Sequence, residues 1–333
     1  MLEHGGRLRA AAQAFGIPLS DWLDLSTGIA PYGFEVPAIP ADVWTRLPET
    51  EDGLEAAARD YYHARSLLPV AGSQAAIQML PRLRRQLQVG VVSPCYSEHA
   101  EAWRREGHRL FEFSEGGVPR ALDQLDVLVV VNPNNPTGRL LAPAQLLDWH
   151  ARLAERGGWL IVDEAFMDPT PGQSLAMHSH LPGLIVLRSF GKFFAMAGAR
   201  LGFVLAEAEL LGLLDEALGP WPIAGPSRFI GSALLADRQA QRDQRERLLT
   251  DAERLAQLLT ARGLPPAGGC GLFQWVLIEQ SSRLYEFLAE RGILVRRYRH
   301  PSSLRFGLPP DEQGWARLEM ALATYKGSRV WAP

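Results

Sequence analysis

The residues best equipped for chemistry lie in Leu184–Gly202, LIVLRSFGKFFAMAGARLG. Lys192 stands there among Phe190, Phe193, Phe194 and Met196, with Ser189 before it and Arg200 after it. Apolar surroundings disfavour the charged form of a lysine, which lowers its pKa and leaves a nucleophilic amine. Such an amine near a hydroxyl and an arginine suits a phosphorylated cofactor with a carbonyl, held as a Schiff base, and pyridoxal 5′-phosphate (PLP) meets that description. Alone, SFGK serves equally well as a lysine at the mouth of a surface loop, so other positions must decide.

Asp163 ends the apolar run GWLIVDEA. Ligands of open α/β sheets collect at the carboxyl ends of strands, where a carboxylate can pair with a protonated pyridine nitrogen and keep the ring an electron sink. A helix cap is the plain alternative. VVVNPNNPTGR also follows a strand directly, and its Asn-Pro steps force a turn in which the Asn135 amide can meet a phenolate oxygen. AGSQAAI opens a helix after the strand LLPV, so Gly72, Ser73 and Gln74 offer backbone N–H groups and a hydroxyl to a phosphate. An ordinary serine N-cap reads the same way. Tyr96 falls where a ring could stack on a planar cofactor, although such a tyrosine more often belongs to a core. His99 is more often a structural hydrogen-bonding group than a base. Arg296, Arg297, Arg299 and Arg305 cluster near the C-terminus; Arg296 ends a strand and Arg305 lies within one, positions from which guanidinium groups can bind a carboxylate and a phosphate. GGCGLF at 268–273 lacks the third glycine of a dinucleotide fingerprint and is set aside.

These residues hang on a rhythmic chain. From Asp52 onward helix patterns (DGLEAAARDYYHAR, SQAAIQMLPRLRRQL, SEHAEAWRREG, PAQLLDWHARLAERG) alternate with strand patterns (LLPVAG, VGVVSP, HRLFEF, DVLVVV, GWLIVDEA, LIVLRS, RLGFVLA). Several strands are apolar on both faces, which predicts a parallel sheet covered on both sides. Beyond the break WPIAGPS, Arg228–Arg262 reads as one long charged amphipathic helix, followed by strands GLFQWVLIE, ILVRRY and SSLRFGL and helices SRLYEFLAERG and DEQGWARLEMALATYKG. Arg7–Phe15 is a short helix, and the Pro/Gly-rich segment after it cannot form a core alone. The expected division is an N-terminal arm (1–40) packing on the small domain and substrate site, a large domain (41–220) and a small C-terminal domain (221–333).

A chain of 333 residues can bury a large core. A formal charge of −3 gives no drive toward nucleic acid or an anionic membrane, and two cysteines make neither a disulfide framework nor a zinc spacing. No run approaches the ~18 apolar residues of a membrane span, and the first residues lack a signal peptide's apolar core. These features predict a cytoplasmic protein with no membrane and no metal requirement.

Taken together, NPNNPTG, DEAF, SFGK and Arg200 resemble the fold-type-I PLP enzymes of the class I/II aminotransferase group. That resemblance implies the aspartate aminotransferase-like α/β fold, with a mostly parallel seven-stranded sheet sandwiched by helices plus a smaller C-terminal domain. It implies Lys192 as the Schiff-base lysine, Asp163 as partner of the pyridine nitrogen and Asn135 at O3′. Gly72, Ser73, Gln74, Ser189 and Arg200 would surround the cofactor phosphate, Tyr96 would stack on the ring, and Arg305 would clamp the substrate carboxylate. Active sites of this group usually form between two subunits, which implies a homodimer.

Within the group the chain is similar to two families that handle phosphorylated substrates, the histidinol-phosphate aminotransferases and the threonine-phosphate decarboxylases of cobalamin synthesis. Three features resemble the decarboxylases. His4–Gly6 is similar to their opening, whose histidine reaches the substrate phosphate. Asp24–Pro31 is similar to a segment lining the substrate end, and Phe166 stands where many aminotransferases carry a tyrosine. Gly28 and Ala30 occupy positions where that segment carries asparagines. The implied activity is decarboxylation of O-phospho-L-threonine to (R)-1-aminopropan-2-yl phosphate and CO2, with His4, Ser26, Thr27, Gly28, Asn135, Arg296 and Arg305 on the substrate; the sequence leaves both Arg296 and Arg297 open as the ligand of its phosphate. Histidinol-phosphate transamination is the alternative, and a PLP-binding protein without chemistry is a third.

Overall fold

The protein was analysed as a computed structural model, which describes residues 4–325. Twelve strands occur among them: β1 (Leu23–Leu25), β2 (Leu67–Val70), β3 (Gln88–Val92), β4 (Arg109–Phe113), β5 (Val127–Val131), β6 (Trp159–Asp163), β7 (Leu184–Ser189), β8 (Gly202–Leu205), β9 (Gly268–Cys270), β10 (Phe273–Leu277), β11 (Ile293–Tyr298) and β12 (Ser303–Gly307). The backbone divides into two compact units. One comprises Gly33–Asn135 and Leu140–Asp243; the other comprises residues 4–32, Pro136–Arg139 and 244–325.

The larger unit is built on a seven-stranded sheet in the order β2-β8-β7-β6-β5-β3-β4. All neighbours run parallel except β8, which is antiparallel to both β2 and β7. Strands β5 and β7 are buried along their whole length. Only a sheet covered on both faces tolerates that, and it is why these segments read as unbroken apolar runs. Parallel order also places the ends of β5, β6 and β7 on one edge, so Asn132, Asp163 and Ser189 leave the sheet side by side. The smaller unit carries a five-stranded sheet, β1-β11-β12-β10-β9, in which only the β1–β11 pair is parallel. Helix Leu8–Phe15 packs with Trp22, Ala289 and Leu294 in a small core of its own.

Two elements differ from the sequence reading. The helix expected over Arg228–Arg262 is two, Gly225–Ala236 and Arg238–Ala261. Asp237 leaves helical geometry, with ψ at 81°. Its carboxylate accepts from Ala240 N, and Gln241 Nε2 donates to the carbonyls of Leu234 and Leu235. The break therefore satisfies both new helix ends, which continuous amphipathicity could not reveal. Leu23–Leu25, read as part of a breaker-rich arm, is a strand aligned on β11. Three residues are too few to show periodicity, so tertiary pairing alone defines it.

Candidate active site

Each sequence-predicted cofactor residue falls on the larger unit, and the substrate-side residues other than Asn135 fall on the smaller. On the larger unit, Asp163 closes β6 and is buried, 3% exposed. Its Oδ1 accepts from Ala165 N at 3.0 Å, and His99 Nε2 lies 2.8 Å from Oδ2, donating to it. His99 is itself 2% exposed and rides on helix Glu98–Arg105. Both carboxylate oxygens are thus held in a fixed orientation, with lone pairs left over for a further donor. His99, whose type alone could not assign it, proves to be the group that orients Asp163.

Tyr96 is set by a short chain of side chains. Its hydroxyl donates to Gln74 Oε1 at 3.0 Å, and Gln74 Nε2 donates to Glu98 Oε2 at 3.1 Å. Glu98 also receives Gln78 Nε2, so the Gln74 amide is turned with its oxygen toward the phenol. Burial first, then the charges of Glu98 and Asp163, push the Tyr96 phenol up to about 12. Gln74, expected near the phosphate, thereby links Tyr96 to Glu98 through its side-chain amide.

Gly72, Ser73, Ser189 and Arg200 come together at the other end. Gly72 adopts φ +71°, and a Cβ there would lie 2.8 Å from Arg200 Nη2. Gly202 pairs with Ser189 across β7 and β8, and a Cβ on it would stand 2.6 Å from Ser73 N. Two absent side chains therefore let a guanidinium, a helix-opening amide and a strand end converge, a donor set that fits a phosphate. Gly202 was not singled out in the sequence, because only the register shows what it makes room for. Lys192 lies in the single-turn helix Phe190–Phe193, its Nζ 5.6 Å from the centre of the Phe166 ring. Asn135 stands in the turn after β5, which Asn132 closes by exchanging two hydrogen bonds with Leu141, at 2.8 and 3.2 Å.

Beneath these residues lies a charged cluster that sequence reasoning missed. Arg188, next to Ser189, is 2% exposed and pairs with Glu164 at 2.8 Å and Asp168 at 2.6 Å. Tyr61 donates to Asp168, Leu175 N and Ser174 donate to Glu164, and the Arg188 guanidinium rests 4.6 Å from the Tyr62 ring centre. Burial pushes the Glu164 carboxyl up, and Arg188 pulls it back down. The polar residue inside each of DEAF and LIVLRS was the available signal, since a charge in an apolar run requires a partner.

On the smaller unit, register pairs Arg296 of β11 directly with Arg305 of β12. Paired residues share a sheet face, so these two guanidinium groups start from one patch. Arg297 pairs with Leu304 instead, and its guanidinium lies 5.4 Å from the Tyr285 ring centre. Arg305 is buried and donates to the Ser26 carbonyl at 2.9 Å. His4, Ser26, Arg296 and Arg297 line a cavity of about 270 Å³ together with helix Leu8–Phe15. Thr27 and Gly28 follow Ser26 at the end of β1. The GGCG stretch set aside earlier has a structural purpose: Gly268 and Gly269 lie against Thr137 and Gly138 so closely that a Cβ on Gly268, Gly269 or Gly138 would collide with its neighbours. The NPTG turn is seated on β9.

Residues 43–328 match the family model of the class I and II aminotransferases, so the chain belongs to that family and carries the PLP-dependent aminotransferase fold. It is 63% identical over 326 residues to a threonine-phosphate decarboxylase of Pseudomonas aeruginosa, covering 98% of each chain. A threonine-phosphate decarboxylase of Sinorhizobium is 43% identical over 332 residues, covering 97% of this chain and 98% of the relative. Among solved structures, histidinol-phosphate aminotransferase from Sinorhizobium meliloti, in complex with pyridoxal-5′-phosphate, superposes with a TM-score of 0.82 at 18% identity, covering 97% of this chain and 94% of that one.

Proposed function

We propose that this chain is a PLP-dependent lyase of cobalamin biosynthesis that decarboxylates O-phospho-L-threonine to (R)-1-aminopropan-2-yl phosphate and CO2. The observation that carries this reading is the 63% identity, over 98% of both chains, to a threonine-phosphate decarboxylase. Bound PLP supplies a carbonyl that condenses with amines and a ring that accepts the electron pair left when CO2 departs.

The chain's own residues take the remaining tasks. Lys192 would contribute the amine that holds the cofactor, and its Nζ, beside the Phe166 ring, would be the group placed to hold or give up a proton there. Asp163, oriented by His99, would offer its remaining lone pairs to the ring nitrogen and favour its protonated form. Tyr96 would stack on the ring, Asn135 would donate to O3′, and Gly72, Ser73, Gln74, Ser189 and Arg200 would hold the phosphate. Arg305 would orient the substrate carboxylate, while His4, Arg296 and the segment Thr27–Gly28, anchored by Ser26, would hold the substrate phosphate. The clamps decide the outcome, because only the Cα bond set perpendicular to the ring is weakened.

We further propose a cytoplasmic homodimer. Val36, Trp44 and Leu47 are exposed on one stretch and Trp221 on another, and helix Asp42–Thr45 packs beside Gly225–Ala236, which follows Trp221. Large exposed apolar side chains of this kind suit a subunit interface. Both cysteines are free, as a reducing compartment expects, and among the described residues no helix is long and apolar enough to cross a membrane.

The test is incubation of purified, PLP-loaded protein with O-phospho-L-threonine alone. CO2 release without a 2-oxo acid is the expected result. Absence of CO2 together with amino transfer from histidinol phosphate to 2-oxoglutarate would assign the aminotransferase activity instead.

A further inference from the structure

Ser26 is 2% exposed, and every polar atom it has is engaged. Its hydroxyl donates to Asp24 Oδ1 at 2.6 Å, and its amide donates to the same oxygen at 2.9 Å. Its Oγ accepts the Gly6 amide at 2.7 Å, and its carbonyl accepts Arg305 Nη2 at 2.9 Å. A serine hydroxyl has a single proton, and here that proton points at a carboxylate. Ser26 therefore has no donor left for a phosphate, although its position beside the cavity suggests that use.

We propose that Asp24 and Ser26 are positioning residues that pin the N-terminal His4–Gly6 arm and the Arg305 guanidinium into one hydrogen-bonded unit. The inference rests on the reading of His4 and Arg296 as phosphate contacts. Asp24 lies in β1 opposite Leu294, two residues from Arg296, so the anchor belongs to the same sheet as the arginine pair. By taking the hydroxyl proton, Asp24 turns the Ser26 lone pairs toward Gly6 N. The residue before Gly6 completes the fit: a Cβ on Gly5 would collide with the Ser26 carbonyl oxygen. The Gly6–Ser26 hydrogen bond ties this segment to the residue that follows β1. It holds His4 at the wall of the cavity that Arg296 lines.

The experiment uses the PLP-loaded full chain with Ser26→Ala, Asp24→Ala and Asp24→Asn, reading amide hydrogen exchange of the peptide covering 4–14 alongside KM and kcat for O-phospho-L-threonine. Both alanine variants should speed exchange in the arm and raise KM about tenfold, the effect of roughly one lost hydrogen bond, with a smaller loss in kcat. Asp24→Asn keeps an accepting oxygen and should restore both readouts toward wild type. Gly5→Ala should reproduce the alanine phenotype by steric means. Unchanged exchange in Ser26→Ala would overturn the proposal. So would a raised KM in Ser26→Ala with a wild-type Asp24→Ala, since that pattern belongs to a direct ligand, and so would faster exchange with an unaltered KM. If wild-type protein proves inactive on phosphothreonine, the functional reading fails, and the exchange measurement still decides whether the pin exists.

Discussion

A carboxylate at the end of a strand is common; one with both oxygens already oriented inside a buried pocket is not. His99 and Asp163 form that arrangement, and the histidine is valuable because it leaves the aspartate one direction in which to act. His99→Leu removes a buried donor and should weaken PLP binding and turnover about 10- to 100-fold, checked by absorbance titration with the cofactor and by CO2 release. Tyr96 gives a pH-dependent counterpart. Its folded pKa, about 12, stands above the ordinary value of 10, so the folded state holds the proton more tightly. The stability it contributes is complete below pH 10 and is lost as pH rises through 12. Comparison of wild type with Tyr96→Phe in a tyrosinate absorbance titration should show the missing step near 12; a missing step near 10 would contradict the desolvation of the phenol beside Glu98 and Asp163.

Strand ends, not loops, set the precision of the site. The Arg188–Glu164–Asp168 cluster ties the exit of β6 to the exit of β7, one residue away from Asp163 and Ser189 in each case. Arg188→Met would leave two buried carboxylates without their counter-ion, so unfolding in urea should show a loss of about 3–5 kcal/mol. Replacing all three charges by apolar residues of similar volume should cost much less, because no charge is then stranded. The same logic explains the second unit. Pairing of Arg296 with Arg305 and of Arg297 with Leu304 sets Arg297 on the opposite sheet face from the other two arginines, a decision taken by register rather than by composition.

At the scale of the molecule, the residues proposed to hold the cofactor lie on one compact unit, and those proposed to meet the substrate, Asn135 apart, lie on the other. The proposed homodimer belongs to this scale. Sedimentation velocity should report a dimer for the wild-type chain, and Trp44→Glu, which places a charge on an exposed apolar side chain, should shift it toward monomer; a monomeric wild type would refute the assembly. The sequence by itself determined a great deal. Apolar runs ending in Asp163, Asn132 and Ser189, the glycine-flanked lysine and the NPNNPTG turn are local patterns, and local patterns predict strands, their ends and the family they resemble. Only the tertiary structure decided the rest, because partners distant in the chain leave no mark on spacing. That holds for His99 on Asp163, for Gln74 turned to Tyr96, for β1 recruited onto β11, and for glycines 202, 268 and 269, whose purpose is the backbone that another segment brings against them.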